Sequence, residues 1–122
     1  MATADAELAA FFSGIAIAHQ IPGRVRLKLL RLPEFLHARL DAPALTRFFA
    51  GLRQIPGITQ VKLNPLARSC TITYTPSRLP DHVWREAIGA PGNLSPATRD
   101  FLAKLRQNYL ESQTSETRTP LG

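Results

Sequence analysis

The chain has 122 residues, 44% of them hydrophobic, which is enough for one compact domain with a buried core and too little for two. Fifteen Lys and Arg against nine Asp and Glu give a net charge of +6, which favours an acidic partner such as nucleic acid, anionic lipid or an acidic protein surface. The single Cys70 excludes an internal disulfide, and the least polar run, Leu8 to Ala18, is too short to span a bilayer, so we expect a soluble, cytoplasmic protein.

The N-terminal quarter of the chain predicts a short helix followed by extended chain. Leu8, Phe11 and Phe12 lie on one side of the helix, and Gly14 ends it. Residues 15–30 are typical of extended chain, with Pro22-Gly23 as the strong turn signal inside them. Beyond the turn, apolar and cationic residues alternate with the period of a half-buried strand: Val25, Leu27 and Leu29 on one face, and Arg24, Arg26 and Lys28 on the other.

The rest of the chain predicts three helices and a β-hairpin. Apolar stripes at helical spacing mark the helices: Leu45, Phe48, Phe49, Leu52 and Ile55; then Val83, Trp84, Ala87 and Ile88; then Phe101, Leu102, Leu105 and Tyr109. Asp41 can cap the first of these helices, after a connection over residues 32–40, and Ser95-Pro96 is a start signal for the third. The hairpin joins two β-rich runs, residues 58–63 and 70–75, through a turn that begins at Asn64-Pro65.

From Arg24 onward the order is strand, helix, strand, strand, helix, which is most of the βαββαβ ferredoxin-like plan. The phrases "HQIPGRVRLKL", "LRQIPGITQVKLNP", "SCTITYTP" and "HVWREAI" follow one another in the chain. Over residues 19–88 they resemble the heavy-metal-associated domain family, most closely its divergent branch found alone or ahead of P-type metal-transporting ATPases. The resemblance implies an α+β ferredoxin-like sandwich, to which this chain adds a C-terminal helix.

Metal-carrying members of that family hold copper or zinc through a Cys-x-x-Cys pair in the loop between the first strand and the first helix. Here that loop is "RLPEFLHARLDAPAL", which has no cysteine. The resemblance therefore implies an accessory or regulatory module in metal handling or metal transport. Such a module acts through protein–protein contacts rather than by thiolate transfer of a metal.

His19 and Cys70 remain as candidate ligands of a transition metal or a haem, because imidazole and thiolate are common metal ligands. Each has a simpler interpretation. His19 can hydrogen-bond the neighbouring turn, and Cys70 can be a small strand residue. No sequence spacing predicts that either of them meets His37 in space.

The fourth strand of the ferredoxin-like plan has no candidate at its usual place, because a segment rich in Pro and Gly, residues 91–96, follows the second predicted helix of that plan. Residues 15–19 replace it if the chain makes a hairpin at Pro22-Gly23, and the alternative is one long bent strand. For the hairpin register we expect Ala16 and Ala18 to face the core, and Ile15, Ile17 and His19 to share the face of Arg26 and Lys28.

The candidate partner-binding residues are the cations Arg24, Arg26, Lys28 and Arg68. The expected partner is a protein, either a metal transporter or a larger assembly, and the alternative is a nucleic acid held through its phosphates. The cationic face lacks the aromatic side chains on which ferredoxin-like RNA binders stack bases. The apolar stripe of the C-terminal helix has to be buried as well, on the open side of the sheet or against a second copy in a homodimer.

Catalysis is not predicted, because the sequence has no Gly-rich phosphate loop, no zinc-protease helix and no nucleophile elbow. We divide the chain into an N-terminal extension of helix and strand (1–17), a ferredoxin-like domain (18–90), a linker with an amphipathic helix (91–111), and a Ser/Thr-rich tail that we expect to be disordered (112–122).

Overall fold

A computed structural model describes residues 4–31, 43–89 and 93–118 as an α+β sandwich of four helices and a four-stranded antiparallel sheet. In chain order the elements are α1 (Ala4–Ser13), β1 (Ile15–Ile21), β2 (Arg24–Leu29), α2 (Pro43–Arg53), β3 (Ile58–Asn64), β4 (Ser69–Tyr74), α3 (His82–Gly89) and α4 (Pro96–Arg118). These are the helices and strands that the sequence predicts. The predicted connection over 32–40 and the cap at Asp41 lie outside the described residues.

The N-terminal strand takes the fourth place in the sheet. The strand order is β1-β2-β4-β3, and β1 runs antiparallel to β2 through a hairpin at Pro22-Gly23. Gly23 has φ +81°, the positive value that a type II turn requires after proline. The hairpin is therefore confirmed, and the long bent strand is wrong. Because β1 precedes β2 in the chain instead of following α3, the arrangement is a circularly permuted form of the ferredoxin-like plan.

The predicted register of β1 is wrong over its first half. The observed pairs place Ile15 opposite Leu29, Ile17 opposite Leu27, and His19 opposite Arg26. The pairing shifts between Ile17 and His19, which makes Ala18 a bulge. Ile15 and Ile17 thus pack on the core, Ala16 and Ala18 do not, and only His19 keeps its predicted face. The extra residue inverts the alternation of side chains within the strand. A prediction that assumes unbroken alternation therefore puts the residues before the bulge on the wrong side.

The core lies between the sheet and the helices. Trp84 of α3 is fully buried between Tyr74 of β4 and Phe101 of α4, with ring centroids 5.6 and 5.2 Å away. On the other side of the helical layer, Phe11 of α1 stacks on Phe48 of α2 at 4.8 Å. The three apolar stripes predicted for α2, α3 and α4 are confirmed as the buried sides of those helices.

The apolar stripe of α4 is buried among the other helices. Phe101, Leu105 and Tyr109 are at most 2% exposed, and the helix contacts α1, α2 and α3. The expectation that this stripe covers the open side of the sheet, or needs a second copy, is therefore wrong. The helix runs to Arg118, past the boundary predicted at residue 111, and residues 119–122 lie outside the described part of the chain.

Candidate anion-binding face of the sheet

The side of the sheet that faces away from the helices carries three rows of side chains, each crossing the strands in the order β1, β2, β4, β3. We call these rows together the open face. The pairing of the strands gives the rows Ile21, Arg24, Thr73 and Gln60; His19, Arg26, Thr71 and Lys62; and Ala16, Lys28, Ser69 and Asn64. In every row β2 supplies a cation, β4 supplies a hydroxyl, and β3 supplies an amide or a lysine.

Alternation along the strands explains why these residues share one side. Val25 and Leu27 of β2, Ile72 of β4 and Val61 of β3 are buried against the helices. Successive side chains of a strand point to opposite sides, so their neighbours in sequence lie on the other side of the sheet, where the β2 cations are exposed, Thr71 and Thr73 are half-buried and Ser69 is 7% exposed. The open face is therefore a direct consequence of how the core is packed.

The open face has one sign of charge. The four strands carry the cations Arg24, Arg26, Lys28 and Lys62, all of them exposed, and no Asp or Glu. The strands consequently offer no carboxylate that could neutralise these cations. A surface of this kind raises the local concentration of anions.

A shallow depression of about 560 Å³ lies over the open face, lined by strand residues alone: Arg24, Arg26, Gln60, Lys62, Asn64, Ser69, Thr71 and Thr73. A smaller one of about 250 Å³ adjoins it toward the edge strand, where His19 and Ile21 join Arg24, Arg26 and Thr71. The two depressions share three residues. An anion above Arg26 and Thr71 is thus within reach of side chains from all four strands.

Three of the predicted partner-binding residues come together and one does not. Arg24, Arg26 and Lys28 stand side by side on β2, as expected. Arg68 lies in the β3–β4 turn with φ +52° and lines a small pocket beside Leu29 and residues of α2, which adjoins the open face at Asn64 and Ser69. Lys62 belongs to the open face and is missing from the prediction, although its place beside Val61 in an alternating run would have shown it.

His19 and Cys70 lie on opposite sides of the sheet. His19 is exposed on the open face, whereas Cys70 is 2% exposed on the core side, opposite Leu27. Burial raises the pKa of the Cys70 thiol to about 12, although the charge of Arg53 works in the other direction. The two side chains therefore cannot share a metal ion. Among the described residues no three His, Cys, Asp or Glu are grouped closely enough to hold one, and His37 is outside them.

A hydrogen-bonded cluster that the sequence does not reveal holds the β1–β2 turn. Asp81 accepts hydrogen bonds from the Gly23 N–H, at 3.0 Å, and from the Tyr74 hydroxyl. Gln20 Nε2 donates to the same hydroxyl and to the Asp81 carbonyl oxygen, at 3.1 and 2.9 Å. Burial and the bond to Asp81 raise the pKa of Tyr74 to about 12. In the described structure, Asp81 thus makes the turn contact that we considered for His19.

The start of α4 brings a serine, a histidine and a glutamate together. His82 Nε2 lies 3.0 Å from Ser95 Oγ and 4.0 Å from Glu86 Oε2. In a catalytic triad the carboxylate contacts the other imidazole nitrogen. Here Glu86 Oε1 accepts hydrogen bonds from the Ser95 N–H and the Thr98 hydroxyl, and Ser95 Oγ accepts from the Thr98 N–H. The group is therefore a helix cap that ties α4 to α3.

An apolar groove of about 420 Å³ lies on the helical side of the molecule. It is lined mainly by apolar residues of α1, α3 and α4: Leu8, Ala9, Phe12, Ser13, Ala87, Ile88, Leu102, Ala103 and Arg106. The lining contains no carboxylate and no histidine. Its chemistry is that of an apolar surface with one cation at its margin, unlike the polar open face.

Comparison with family models, with curated proteins and with solved structures found no match for this chain. No helix among the described residues is both long and apolar enough to cross a membrane.

Proposed function

We propose that this protein is a non-catalytic binding module that docks an anionic partner on its open face. The observation that carries the proposal is the repeated row of cation, hydroxyl, and amide or lysine, on strands that contain no Asp or Glu. Cations held side by side repel one another, and a bound anion relieves that repulsion while accepting charge-assisted hydrogen bonds. The sheet backbone fixes the positions from which the donors extend, so binding has to order side chains but not the chain itself.

A role in metal handling or metal transport rests on the resemblance of residues 19–88 to heavy-metal-associated domains. In that role the module is an accessory or regulatory protein that contacts a transporter or a larger assembly. His19 is the residue of the open face that can ligate a metal. Cys70 is buried on the core side of the sheet, where it cannot contact a metal bound by His19. The docking proposal does not depend on this extension.

The proposal is tested by reversing charge on the open face. The variant Arg24→Glu, Arg26→Glu, Lys62→Glu should bind polyanions at least about tenfold more weakly than the parent protein, because each contact is charge-assisted. The measurement is fluorescence anisotropy with two labelled probes, a single-stranded oligonucleotide and poly-L-glutamate, at low salt. Far-UV circular dichroism confirms that the variant is folded.

The matched control is Arg53→Glu, Arg78→Glu, Arg99→Glu, which changes the net charge equally at exposed positions away from the open face. We expect the control to keep most of the affinity, since short-range contacts decide binding. Equal losses in the two variants would assign the binding to net charge alone. Failure of the parent protein to bind either probe would overturn the proposed function.

A further inference from the structure

We infer that the anion for which the open face is built is the phosphodiester backbone of a single-stranded nucleic acid, bound without recognition of its bases. This inference rests on the proposed function and names its partner. Three properties of the open face support the inference. They are the types of hydrogen-bond donor, the straight line that the cations form, and the absence of apolar and aromatic side chains between the donors.

The donors of the open face are those that contact phosphates. Proteins reach phosphate oxygens with Arg and Lys and with the hydroxyl and amide side chains of Ser, Thr, Asn and Gln. The positions contributed by β2, β4 and β3 contain only these residue types: Arg24, Arg26, Lys28, Thr73, Thr71, Ser69, Gln60, Lys62 and Asn64. Every one of these side chains can donate a hydrogen bond, which suits a ligand whose exposed oxygens only accept.

The cations form a straight track. Arg24, Arg26 and Lys28 recur at every second residue of β2, which spaces them by about 6.8 Å, and the hydroxyls of β4 run beside them at about 4.8 Å. A chain with one charge per repeat can follow such a track and meet a cation at each step, with the half-buried hydroxyls of Thr73 and Thr71 beside Arg24 and Arg26. A single track matches one backbone, whereas a duplex presents two.

The middle row is the strongest subsite. Arg26 of β2 and Lys62 of β3 flank Thr71 of β4 from its two sides, and the observed pairing aligns all three. Their backbones are about 10 Å apart, twice the strand spacing, so the two long side chains can converge above the Thr71 hydroxyl. His19 extends the same row on the outer strand.

The open face has few of the residue types that protein interfaces and base-reading sites use. The centres of protein–protein interfaces are enriched in aromatic residues, Met and Arg and depleted in Lys and Ser, and of the enriched types the open face carries only Arg24 and Arg26. Apart from Ala16, the apolar side chain of the open face is Ile21, at its edge and 44% exposed. The open face has no Phe, Tyr or Trp, so bases find no stacking platform and contribute no sequence preference.

The experiment uses short single-stranded dT and dA oligonucleotides of roughly 12 nucleotides and a polyglutamate of similar charge, each titrated from about 50 to about 200 mM salt. Four cations on the open face predict a slope of log K against log salt near −2.8, at about −0.7 per phosphate contact. We expect dT and dA to bind within about threefold of each other and polyglutamate to bind at least about tenfold more weakly.

Lys62→Ala should reduce the slope by about 0.7, because it removes one phosphate contact. Arg99→Ala is the matched control, since Arg99 is exposed on α4, away from the strands of the open face, and it should leave the slope unchanged. An unchanged slope in Lys62→Ala, or a preference above about tenfold between dT and dA, would overturn the inference. Binding of polyglutamate but not of the oligonucleotides would overturn it and leave the proposed function standing, whereas binding of neither would overturn both.

Discussion

Asp81 joins the β1–β2 turn, which is distant in sequence, to β4 and to the start of α3. Its carboxylate accepts hydrogen bonds from the turn at Gly23 and from Tyr74 of β4, and it directly precedes α3. The hydrogen bonds from the Tyr74 hydroxyl and the Gly23 N–H hold the pKa of Asp81 below its ordinary value of 3.8. The ionised carboxylate is therefore the form that stabilises the folded protein.

Asp81→Asn should lower the free energy of unfolding by about 1 kcal/mol at pH 7, because two hydrogen bonds to a charged acceptor become weaker. The folded pKa is depressed, so this stabilisation is complete above the unfolded value near 3.8 and is lost as the pH falls through the lower folded value. The difference between the variant and the parent protein should then be smaller at pH 3 than at pH 7. Urea denaturation at both pH values measures it.

The control is Asp100→Asn, which removes only a surface ion pair of α4 with Lys104 at 2.8 Å. Such pairs contribute about 0.5 kcal/mol or less, so this variant should stay close to the parent protein. If Asp81→Asn cost the same free energy at both pH values, the ionised carboxylate would not be the source of the stabilisation.

At the scale of elements, the bulge at Ala18 allows β1 to place isoleucines in the core and a histidine on the open face. Ile15 and Ile17 before it reach the core, and His19 after it reaches the open face. The three residues stand at alternate positions of the sequence, so an unbroken alternation would put all three side chains on one side. The bulge thus reconciles burial of the isoleucines with the position of His19 in the middle row.

Deletion of Ala18 should change the free energy of unfolding by less than about 1 kcal/mol, because it joins Ile17, opposite Leu27, directly to His19, opposite Arg26, and every other residue of β1 keeps its observed partner and face. Ala18→Ser is the control, since Ala18 is exposed and the chain length is kept, and it should change stability by less than about 0.5 kcal/mol. The measurement is the urea midpoint of both variants. A deletion variant less stable than the control by about 3 kcal/mol or more would show that the hairpin needs the bulge to form its observed pairs.

Local periodicity in the sequence is enough to predict the elements and the cationic side of β2, whereas at Pro22-Gly23 the sequence leaves a hairpin and one long bent strand as alternatives. Periodicity is not enough to predict the register of β1, because a bulge has no pattern of its own and inverts the pattern around it. Periodicity also does not predict which elements α4 packs against, because an amphipathic stripe shows only that one side of a helix is buried. The Asp81 cluster was missed for a related reason: it joins residues 20, 23, 74 and 81, and no local spacing links them.

At the scale of the whole molecule, α4 holds the helical layer together. It approaches α2 closely at Gly51, where an added Cβ would lie 3.2 Å from Leu105, and Asn108 Nδ2 donates to the Gly51 carbonyl oxygen at 3.0 Å. The Tyr109 hydroxyl donates to Glu7 of α1. Helix α4 packs against the three other helices and not on the open face. The open face is therefore accessible to a partner only while α4 stays packed in the helical layer.

Leu105→Ala should lower the free energy of unfolding by about 2–5 kcal/mol, since Leu105 is fully buried among the helices and its truncation leaves a cavity. Leu102→Ala, at a half-buried position in the apolar groove, is the control and should cost about 1 kcal/mol.

We expect both variants to unfold in one transition, because α4 shares its core with the sheet through Trp84. Fluorescence of Trp84, the single tryptophan of the chain, reports on the junction of α3, α4 and β4, and far-UV circular dichroism reports on all helices. Coincident curves from the two probes would establish one cooperative unit, whereas loss of helical signal before the tryptophan signal would show that α4 melts independently of the sheet.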